Sequence, residues 1–273
     1  MMIKNLEYFD KQLLESYYKY TELLSDKPLD FQRQRFSLFA LSAAQWQLIE
    51  LAEIELLQQN FENVHAALSR FQHCSYANNN HFDEKGINQH CGYDYCILSE
   101  PAIYSSLLGQ RYIKTAFPIT RKMSKGAYPA YMYAANIILA LEHPEWPYTS
   151  TSIDKARSFI ATKNAKKFEV FYIQFFLNIF DKNVETAANS LIEFNQHYAK
   201  SDWGKNKPFA RLTFMQALAR FSGFYLDNTI ILNKLAESFP ASHLEFWNQF
   251  YKEKDRFTDY QYSEPLAFLN IIV

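Results

Sequence analysis

The strongest constraint on the fold is a pattern that occurs twice between residues 168 and 239. In each copy, an aromatic-rich helical segment ends just before an aspartate, and a second helical segment follows after a short turn. The segments are 168–180 and 184–198 in the first copy, and 209–226 and 229–239 in the second. Asp181 and Asp227, which open the two turns, are 46 residues apart. Paired-helix arrays repeat about every 40–47 residues, so the pattern predicts two successive helix–turn–helix units.

Few turn-forming residues extend this prediction to the whole chain. Only 6 Gly and 9 Pro occur among 273 residues, so turns are few and the elements between them are long. The 24 Phe and 19 Tyr supply large side chains that fill the space between helices. No segment shows the sustained alternation and hairpin turns of strands. We therefore predict an all-α fold, with an N-terminal helical bundle followed by degenerate tetratricopeptide-like (TPR-like) paired helices.

Apolar residues at helical spacing predict the other helices. A stripe in residues 3–24 indicates an amphipathic helix. Residues 36–57, within a long segment 29–59, are apolar on most sides, which is typical of a helix at the centre of a bundle. Further helices are predicted at 61–71, at 102–124 with a kink at Pro118, at 129–142, at 152–162 and after Pro240. The apolar tail 258–273 is predicted either to pack back on the core or to form a short strand.

A long polar segment, residues 75–100, interrupts the helical pattern. Connections of this length within compact domains are usually either functional or mobile. We predict a boundary there, between an N-terminal bundle in residues 1–100 and a TPR-like array with a C-terminal tail in residues 101–273, or else one continuous domain. Because loops on rigid scaffolds often carry recognition, we predict that a partner contacts Asp83, Glu84, Tyr93 and Asp94.

A group of His and Cys residues near this segment does not have the spacing of a metal site. Its members are His73, Cys74, His81, His90, Cys91 and Cys96. Closed zinc sites usually combine two pairs of ligands, about two to four residues apart within each pair, and no C-x-x-C occurs here. Of the histidines, only His65 follows a glutamate, Glu62, by three residues, whereas a di-iron bundle needs two such pairs. We predict no metal ion and no cofactor.

Three glutamates in the apolar segment provide the only candidates for catalysis. Glu50, Glu53 and Glu55 fall within it, and a buried carboxylate with a raised pKa can act as a general acid or base. Such residues more often line a polar stripe or pair with arginines such as Arg33 or Arg35. The sequence has no nucleophile motif and no glycine-rich phosphate loop. We predict no enzyme activity, with a helix-lined carboxylate site as an alternative.

Charge and hydropathy limit the partners and the compartment. The net charge is -1, so no overall field attracts nucleic acid or acidic lipid. The apolar run 127–141 is too short to span a bilayer, and residues 1–11 lack the apolar region of a signal peptide. Mean hydropathy is -0.30. We predict a soluble, cytoplasmic protein with reduced cysteines and a protein partner, without nucleic acid or membrane.

The segment around Phe180-Asp181-Lys182-Asn183, with Ala187-Ala188 and Leu191 in its second helix, is TPR-like, although the Trp–Leu–Gly–Tyr motif of TPR units does not occur. Across residues 130–239, this pattern resembles the all-α immunity proteins of bacterial polymorphic-toxin systems, in particular the immunity protein 49 family. The resemblance implies a cytoplasmic protein that binds a cognate toxin domain and neutralises it stoichiometrically, without catalysis. The alternative is a TPR-like adaptor or regulator that binds a peptide or protein partner.

Overall fold

The computed structural model describes residues 5–83, 99–116, 129–162, 165–201 and 208–270. These residues form thirteen α-helices and contain no strand, which confirms the predicted all-α fold. The chain divides into two compact units. The first combines Met1–Gly92 with Glu245–Val273, and the second is Tyr93–Leu244. The sequence-based division instead assigned everything after residue 100 to the second region.

The first unit begins with four α-helices and one π-helical turn. They are α1 (Leu6–Leu23), α2 (Leu29–Phe36), the π-helix Ser37–Leu41, α3 (Ser42–Leu57) and α4 (Phe61–Asp83). A short turn, in which Gln59 has a φ of 58°, joins α3 to α4 and makes them closely packed antiparallel neighbours. The long apolar segment of the sequence is therefore one helical region that the π-helical turn divides.

Helix α4 is longer than the sequence predicts. It continues past Ser75 to Asp83, so residues 75–83 are helical although their composition is polar. Cys74 and Ala77 are fully or almost fully buried, and Ser75 accepts a hydrogen bond of 3.1 Å from Gln45 in α3. Packing stabilises α4 through Ala77, so the weak helix propensity of the residues that begin the polar stretch does not end the helix there.

Within the first unit, the C-terminal segment packs on the N-terminal helices. Helix α13 (Ala241–Glu253) is followed by two short 3₁₀ turns, Lys254–Arg256 and Ala267–Leu269. Tyr262, Leu266 and Leu269 are buried, and the ring of Phe268 lies 5.8 Å from that of Tyr17 in α1. Of the two predictions for the tail, packing on the core is confirmed as far as residue 270.

The described residues of the second unit form eight helices. They are α5 (Ser99–Ser105), α6 (Gln110–Ala116), α7 (Pro129–Glu142), α8 (Thr149–Ile160), α9 (Lys167–Phe180), α10 (Val184–Tyr198), α11 (Pro208–Ser222) and α12 (Thr229–Ala236). Helices α7 and α8 form one pair, and α9 and α10 form the next. Helix α9 also packs against both members of the first pair. The paired helices of the predicted array are therefore α7–α10.

Aromatic side chains fill the interface of the α9–α10 pair. Tyr172, Phe175 and Phe176 of α9 are buried, and the Tyr172 ring lies 5.0 Å from the Phe194 ring of α10. Asn183 accepts a hydrogen bond from the Thr186 amide and caps α10. The helix bounds agree closely with those predicted, because the local aromatic stripe and the polar turn favour the same structure.

The second predicted helix–turn–helix unit is not a closely packed pair. Helix α11 packs mainly against α5, and α12 packs against α10. Six residues connect α11, which ends at Ser222, to α12, which begins at Thr229, and the Asn228 side-chain amide donates to the Ala219 carbonyl at 2.7 Å. The similarity of the two sequence segments therefore does not extend to their packing.

The structure also differs from the prediction of one kinked helix over residues 102–124. It breaks at Ser106–Gly109, between α5 and α6. Ser106 is buried and its hydroxyl donates to the carbonyl of Ala217 at 2.7 Å, while Gly109 has a φ of 150°. Helix α5 ends because Ser106 bonds to a neighbouring helix and because Gly109 adopts a conformation that is rare for other residues. Pro118, the predicted kink, lies outside the described residues.

Candidate functional site

One wall of the candidate site is helix α1. Asn5 caps its first turn by accepting a hydrogen bond of 2.8 Å from the Tyr8 amide. One face of α1, including Phe9 and Leu13, is buried. Gln12 and Lys19 are on the exposed side of the helix. At the boundary between these two sides of α1, apolar and polar side chains therefore lie next to each other.

The opposite wall is formed by the π-helical turn and the start of α3. A π-helical turn holds about one more residue than an α-helical turn and so changes which residues face α1. Ala40, Ala43 and Ala44 line the space between the walls. Since these side chains end at the β-carbon, they cannot fill the gap between the two helices.

The result is a groove of about 570 Å³ between α1 and α3, which we call the α1–α3 groove. Tyr8, Gln12 and Lys19 line it from α1, and the three alanines and Gln47 line it from the other side. A smaller recess of about 50 Å³ continues it past Tyr8 and Gln47 to Glu50 and Ile54. Exposed Gln12, Ala43 and Gln47 show that the groove opens to solvent.

Exposed apolar side chains mark the two ends of the groove. At one end, Leu23 is 71% exposed and Lys19 is nearby on α1. At the other end, Ile54 is 40% exposed and Glu50 lies in the recess. The start of α1 is therefore beside the second half of α3, so the two walls run in opposite directions.

An ion pair between a buried arginine and a partly exposed aspartate connects α1 to α4. The Arg70 guanidinium of α4 donates to both carboxylate oxygens of Asp10 in α1, at 2.9 and 2.7 Å. It also lies 3.4 Å from the ring centre of Tyr260. Burial by itself would lower the pKa of Arg70, but the hydrogen bond and charge of Asp10 raise the pKa above its ordinary value. One wall of the groove thus depends on a charged contact away from the groove.

Comparison with known proteins assigns neither a family nor a function to this chain. Neither family models, nor curated proteins, nor solved structures match this chain. None of the helices in the described ranges combines the length and apolar character that a membrane span needs. The function must therefore be argued from the geometry of the chain itself.

The three glutamates of α3 differ in burial. Glu50 is exposed beside the groove, whereas Glu53 and Glu55 are buried. Glu55 accepts a hydrogen bond of 3.1 Å from Asn63 in α4. The arginines proposed as their partners lie over aromatic rings, with Arg33 over Phe268 and Arg35 over Phe31. Glu50, beside the groove, and Glu55, bonded to α4, therefore have different surroundings.

Two further carboxylates, Glu100 and Glu142 in the second unit, are buried and were not identified from the sequence. The Tyr225 hydroxyl donates to Glu142, and Tyr131 forms a hydrogen bond with Glu100. Burial first, and then the nearby carboxylate, raises the pKa of each phenol. Each tyrosine therefore stays protonated and available as a hydrogen-bond donor at neutral pH.

The His and Cys residues that the structure describes have structural contacts. The His73 ring nitrogen Nε2 lies 2.5 Å from the Tyr260 carbonyl oxygen and donates to it, and burial raises the pKa of the Cys74 thiol to about 12. His65 Nε2 lies 3.5 Å from Asp259, so its contact is with the C-terminal segment. Within the described residues no group of three or more His, Cys, Asp or Glu could hold a metal ion. The His81 side chain and His90, Cys91 and Cys96 lie outside them.

The residues predicted to contact a partner also lie largely outside the described structure. Asp83 is the last residue of α4, and only its backbone is described. Glu84, Tyr93 and Asp94 are outside the described ranges. Their role stays a prediction.

Sequence reasoning did not identify the α1–α3 groove. The available signal was the group of small residues, Ala40, Ala43 and Ala44, in a segment otherwise rich in large apolar side chains. Small residues at i, i+3 and i+4 share one helix face. That pattern can equally allow a close helix contact, and only the position of α1 shows that a gap results.

Proposed function

We propose that this chain is a protein-binding protein that neutralises a cognate toxin domain stoichiometrically, and that the partner binds in the α1–α3 groove. The observation that carries the proposal is this open groove with exposed Leu23 and Ile54 at its ends. Exposed apolar surface with a polar rim is typical of protein interaction sites. Grooves between helices commonly bind the apolar face of a partner helix.

The nature of the partner rests on a separate argument. The pattern in residues 130–239 resembles that of all-α immunity proteins, and the paired helices α7–α10 are compatible with it. An immunity protein inhibits by occupying its toxin, so a rigid helical scaffold with an exposed binding surface meets the physical requirement. It needs no catalytic group and no cofactor.

The binding proposal is tested by filling the groove. Ala43 is exposed and lines it, so Ala43→Arg places a long charged side chain in the space a partner needs. Ala236→Arg, at an exposed position in α12, is the matched control. In calorimetry with the partner encoded by the neighbouring gene, we expect Ala43→Arg to weaken one-to-one binding by at least about tenfold. Equal affinities for the two variants would overturn the groove as the binding site.

The neutralisation proposal is tested in cells. We expect expression of the neighbouring gene alone to stop growth, and coexpression of this chain to restore it. Ala43→Arg should fail to restore growth while Ala236→Arg succeeds. A neighbouring gene that is harmless on its own, with no growth defect when this chain is deleted, would contradict the proposed toxin partner.

The same assays test whether the segment 83–94 contributes to partner binding. Joint alanine substitution of Asp83, Glu84, Tyr93 and Asp94 should weaken partner binding if this segment contacts the partner. Unchanged affinity would remove these residues from the proposed interface.

A second candidate, an adaptor that binds short peptides, is favoured by the same groove. It differs in requiring no toxic partner. An adaptor binds an isolated helical peptide with measurable affinity, and its deletion leaves the cell free of toxicity.

A further inference from the structure

Helix α1 lies between the groove on one side and the C-terminal segment on another. We propose that residues 257–270, which we call the strap, fix the position of α1 and thereby set the width of the α1–α3 groove. The strap is then a regulatory element, because any event that detaches it from α1 changes the shape of the groove. The effect on groove width involves no partner, whereas its consequence for binding rests on the proposed function.

The strap is attached to one face of α4. The Tyr260 amide donates a hydrogen bond of 2.9 Å to the Ser69 hydroxyl, and the Tyr260 carbonyl accepts one from His73 Nε2. Ser69 and His73 are one helical turn apart and share a face of α4. His65, one turn before Ser69 on the same face, lies 3.5 Å from Asp259. The first part of the strap therefore runs along this face of α4.

Two aromatic side chains of the strap contact α1. The Tyr260 hydroxyl donates to Asp10 at 3.2 Å, and the Phe268 ring lies 5.8 Å from the Tyr17 ring. The Phe268 ring also lies 6.3 Å from that of Phe36, the last residue before the π-helical turn. Phe268 therefore contacts both α1 and the end of α2 that leads into the opposite wall of the groove.

The two contacts with α1 belong to one closed loop. The Asn270 side chain accepts a hydrogen bond of 2.8 Å from the Tyr262 amide and donates one of 2.9 Å to the Tyr262 carbonyl. Tyr262, Leu266 and Leu269 within the loop are buried. Because these bonds and this burial fix the shape of the loop, Tyr260 and Phe268 support α1 as one unit.

The strap and the groove use different faces of α1. Asp10 and Tyr17 are seven residues apart, which is about two helical turns, so they share one face. Tyr8 and Gln12, which line the groove, share another face, and at about 100° per residue Asp10 lies about 160° around the helix from Tyr8. Of the helices in the described part of the chain, only α2 packs closely along α1. The distance of α1 from α3 therefore depends on side-chain contacts such as those of the strap.

The distance between the two walls tests this inference directly. Gln12 on α1 and Gln47 on α3 are exposed and line opposite walls, so both are replaced by cysteine and labelled with nitroxides. Cys91 and Cys96 are replaced by serine, and Cys74 is buried away from the reagent. Electron paramagnetic resonance then gives the distribution of distances across the groove in the full chain.

Phe268→Ala removes the ring that supports α1. The space that it leaves beside Tyr17 is on the side of α1 away from the groove, so α1 should move toward it and the groove should widen. Helices that shift at interfaces move by about 1–2 Å, and we expect the mean distance to lengthen by about this amount and the distribution to broaden. Phe257→Ala is the matched control, because Phe257 is also a half-buried aromatic residue of the strap but its ring lies 5.8 Å from that of His65 in α4.

The control variant should leave the distribution as it is in the original chain. A distance that Phe268→Ala leaves unchanged or shortens, or that both variants lengthen equally, overturns the inference. Tyr260→Phe, which removes the hydroxyl bonded to Asp10 without leaving a cavity, keeps the test decisive if Phe268→Ala does not fold. It should broaden the distribution, and an unchanged distribution overturns the inference.

The measurement also separates the strap from the proposed function, because no partner is present. A groove that widens in Phe268→Ala supports the strap even if the neighbouring gene encodes no partner. If a partner does bind in the groove, Phe268→Ala should weaken that binding more than Phe257→Ala, although Phe268 does not line the groove. A widened groove with unchanged partner affinity contradicts the groove as the binding site and leaves the strap in place.

Discussion

Helices α3 and α7 have similar apolar character but different surroundings. Both are apolar on most sides rather than along one stripe. Helix α7 contacts α5, α8 and α9, and eleven of its 14 residues are buried. Helix α3 packs closely against α4 and the π-helical turn, and leaves Ala43, Ile54 and Leu57 exposed. The comparison shows that apolar composition indicates burial only where enough neighbours exist.

The most direct test of this difference is the same substitution in both helices. Ile138 in α7 is 0% exposed and Ile54 in α3 is 40% exposed. Ile138→Ala should lower the free energy of unfolding by about 2–5 kcal/mol, because it leaves a cavity in a packed core. Ile54→Ala should cost about 1 kcal/mol or less. Urea denaturation followed by circular dichroism measures both, and equal losses would show that α3 is as enclosed as α7.

The next largest effect concerns two ion pairs of similar geometry. In each, an arginine Nη2 lies 2.7 Å from an aspartate oxygen. The Arg70 side chain is 7% exposed, whereas that of Arg157 in α8 is 49% exposed. We expect Arg70→Met to cost about 2–3 kcal/mol, reduced by the partial exposure of Asp10, and Arg157→Met to cost at most about 1 kcal/mol.

The Arg70 substitution also links stability to the groove. Because Asp10 lies on α1, losing Arg70 should loosen that wall. Hydrogen exchange of α1 amides should become faster in Arg70→Met than in Arg157→Met. Equal exchange rates in α1 would show that the Arg70–Asp10 ion pair does not hold this wall of the groove in position.

A smaller effect is expected at the start of α10. Asn183→Ala removes the side chain that accepts a hydrogen bond from the Thr186 amide and should cost about 1 kcal/mol. Gln196→Ala, at an exposed position in the same helix, should change the free energy of unfolding by no more than about 0.5 kcal/mol. A cost for Gln196→Ala as large as that for Asn183→Ala would argue against capping.

The weakest expected effect is a dependence on pH in the first unit. Burial lowers the pKa of His73, although its bond to the Tyr260 carbonyl and the charge of Asp259 act in the opposite direction. As the pH falls below about 6.5, the unfolded chain therefore takes up a proton more readily than the folded chain. Stability is retained above that value and declines toward the lowered pKa of the folded state.

His73→Gln should reduce this decline, because glutamine can donate to the same carbonyl without titrating. The measurement is the difference in unfolding free energy between the variant and the original chain across pH 7 to about 5. Hydrogen exchange in α9, which contains no histidine, is an internal reference. An identical pH dependence in both proteins would exclude His73 as its source.

Local patterns predicted the elements more accurately than their contacts. The aromatic stripe before Asp181 and the polar turn after it give α9 and α10 nearly at their observed bounds. The similar stripe of α11 packs mainly against α5 instead of its sequence neighbour α12. The polar residues 75–83 continue α4 because Cys74 and Ala77 are enclosed. Helix periodicity is local, whereas the partner of each face depends on distant residues.

The sequence by itself determined that the chain is helical and where most helices begin and end, because helical periodicity, scarce turn formers and capping residues all act within a few positions. Only the tertiary structure decided which apolar faces are covered. Arg70 and Asp10, 60 residues apart, fix α1 beside α4, and the alanines opposite α1 then leave a groove rather than a contact. Packing between distant segments is set by the shape of the whole unit, which no local pattern contains.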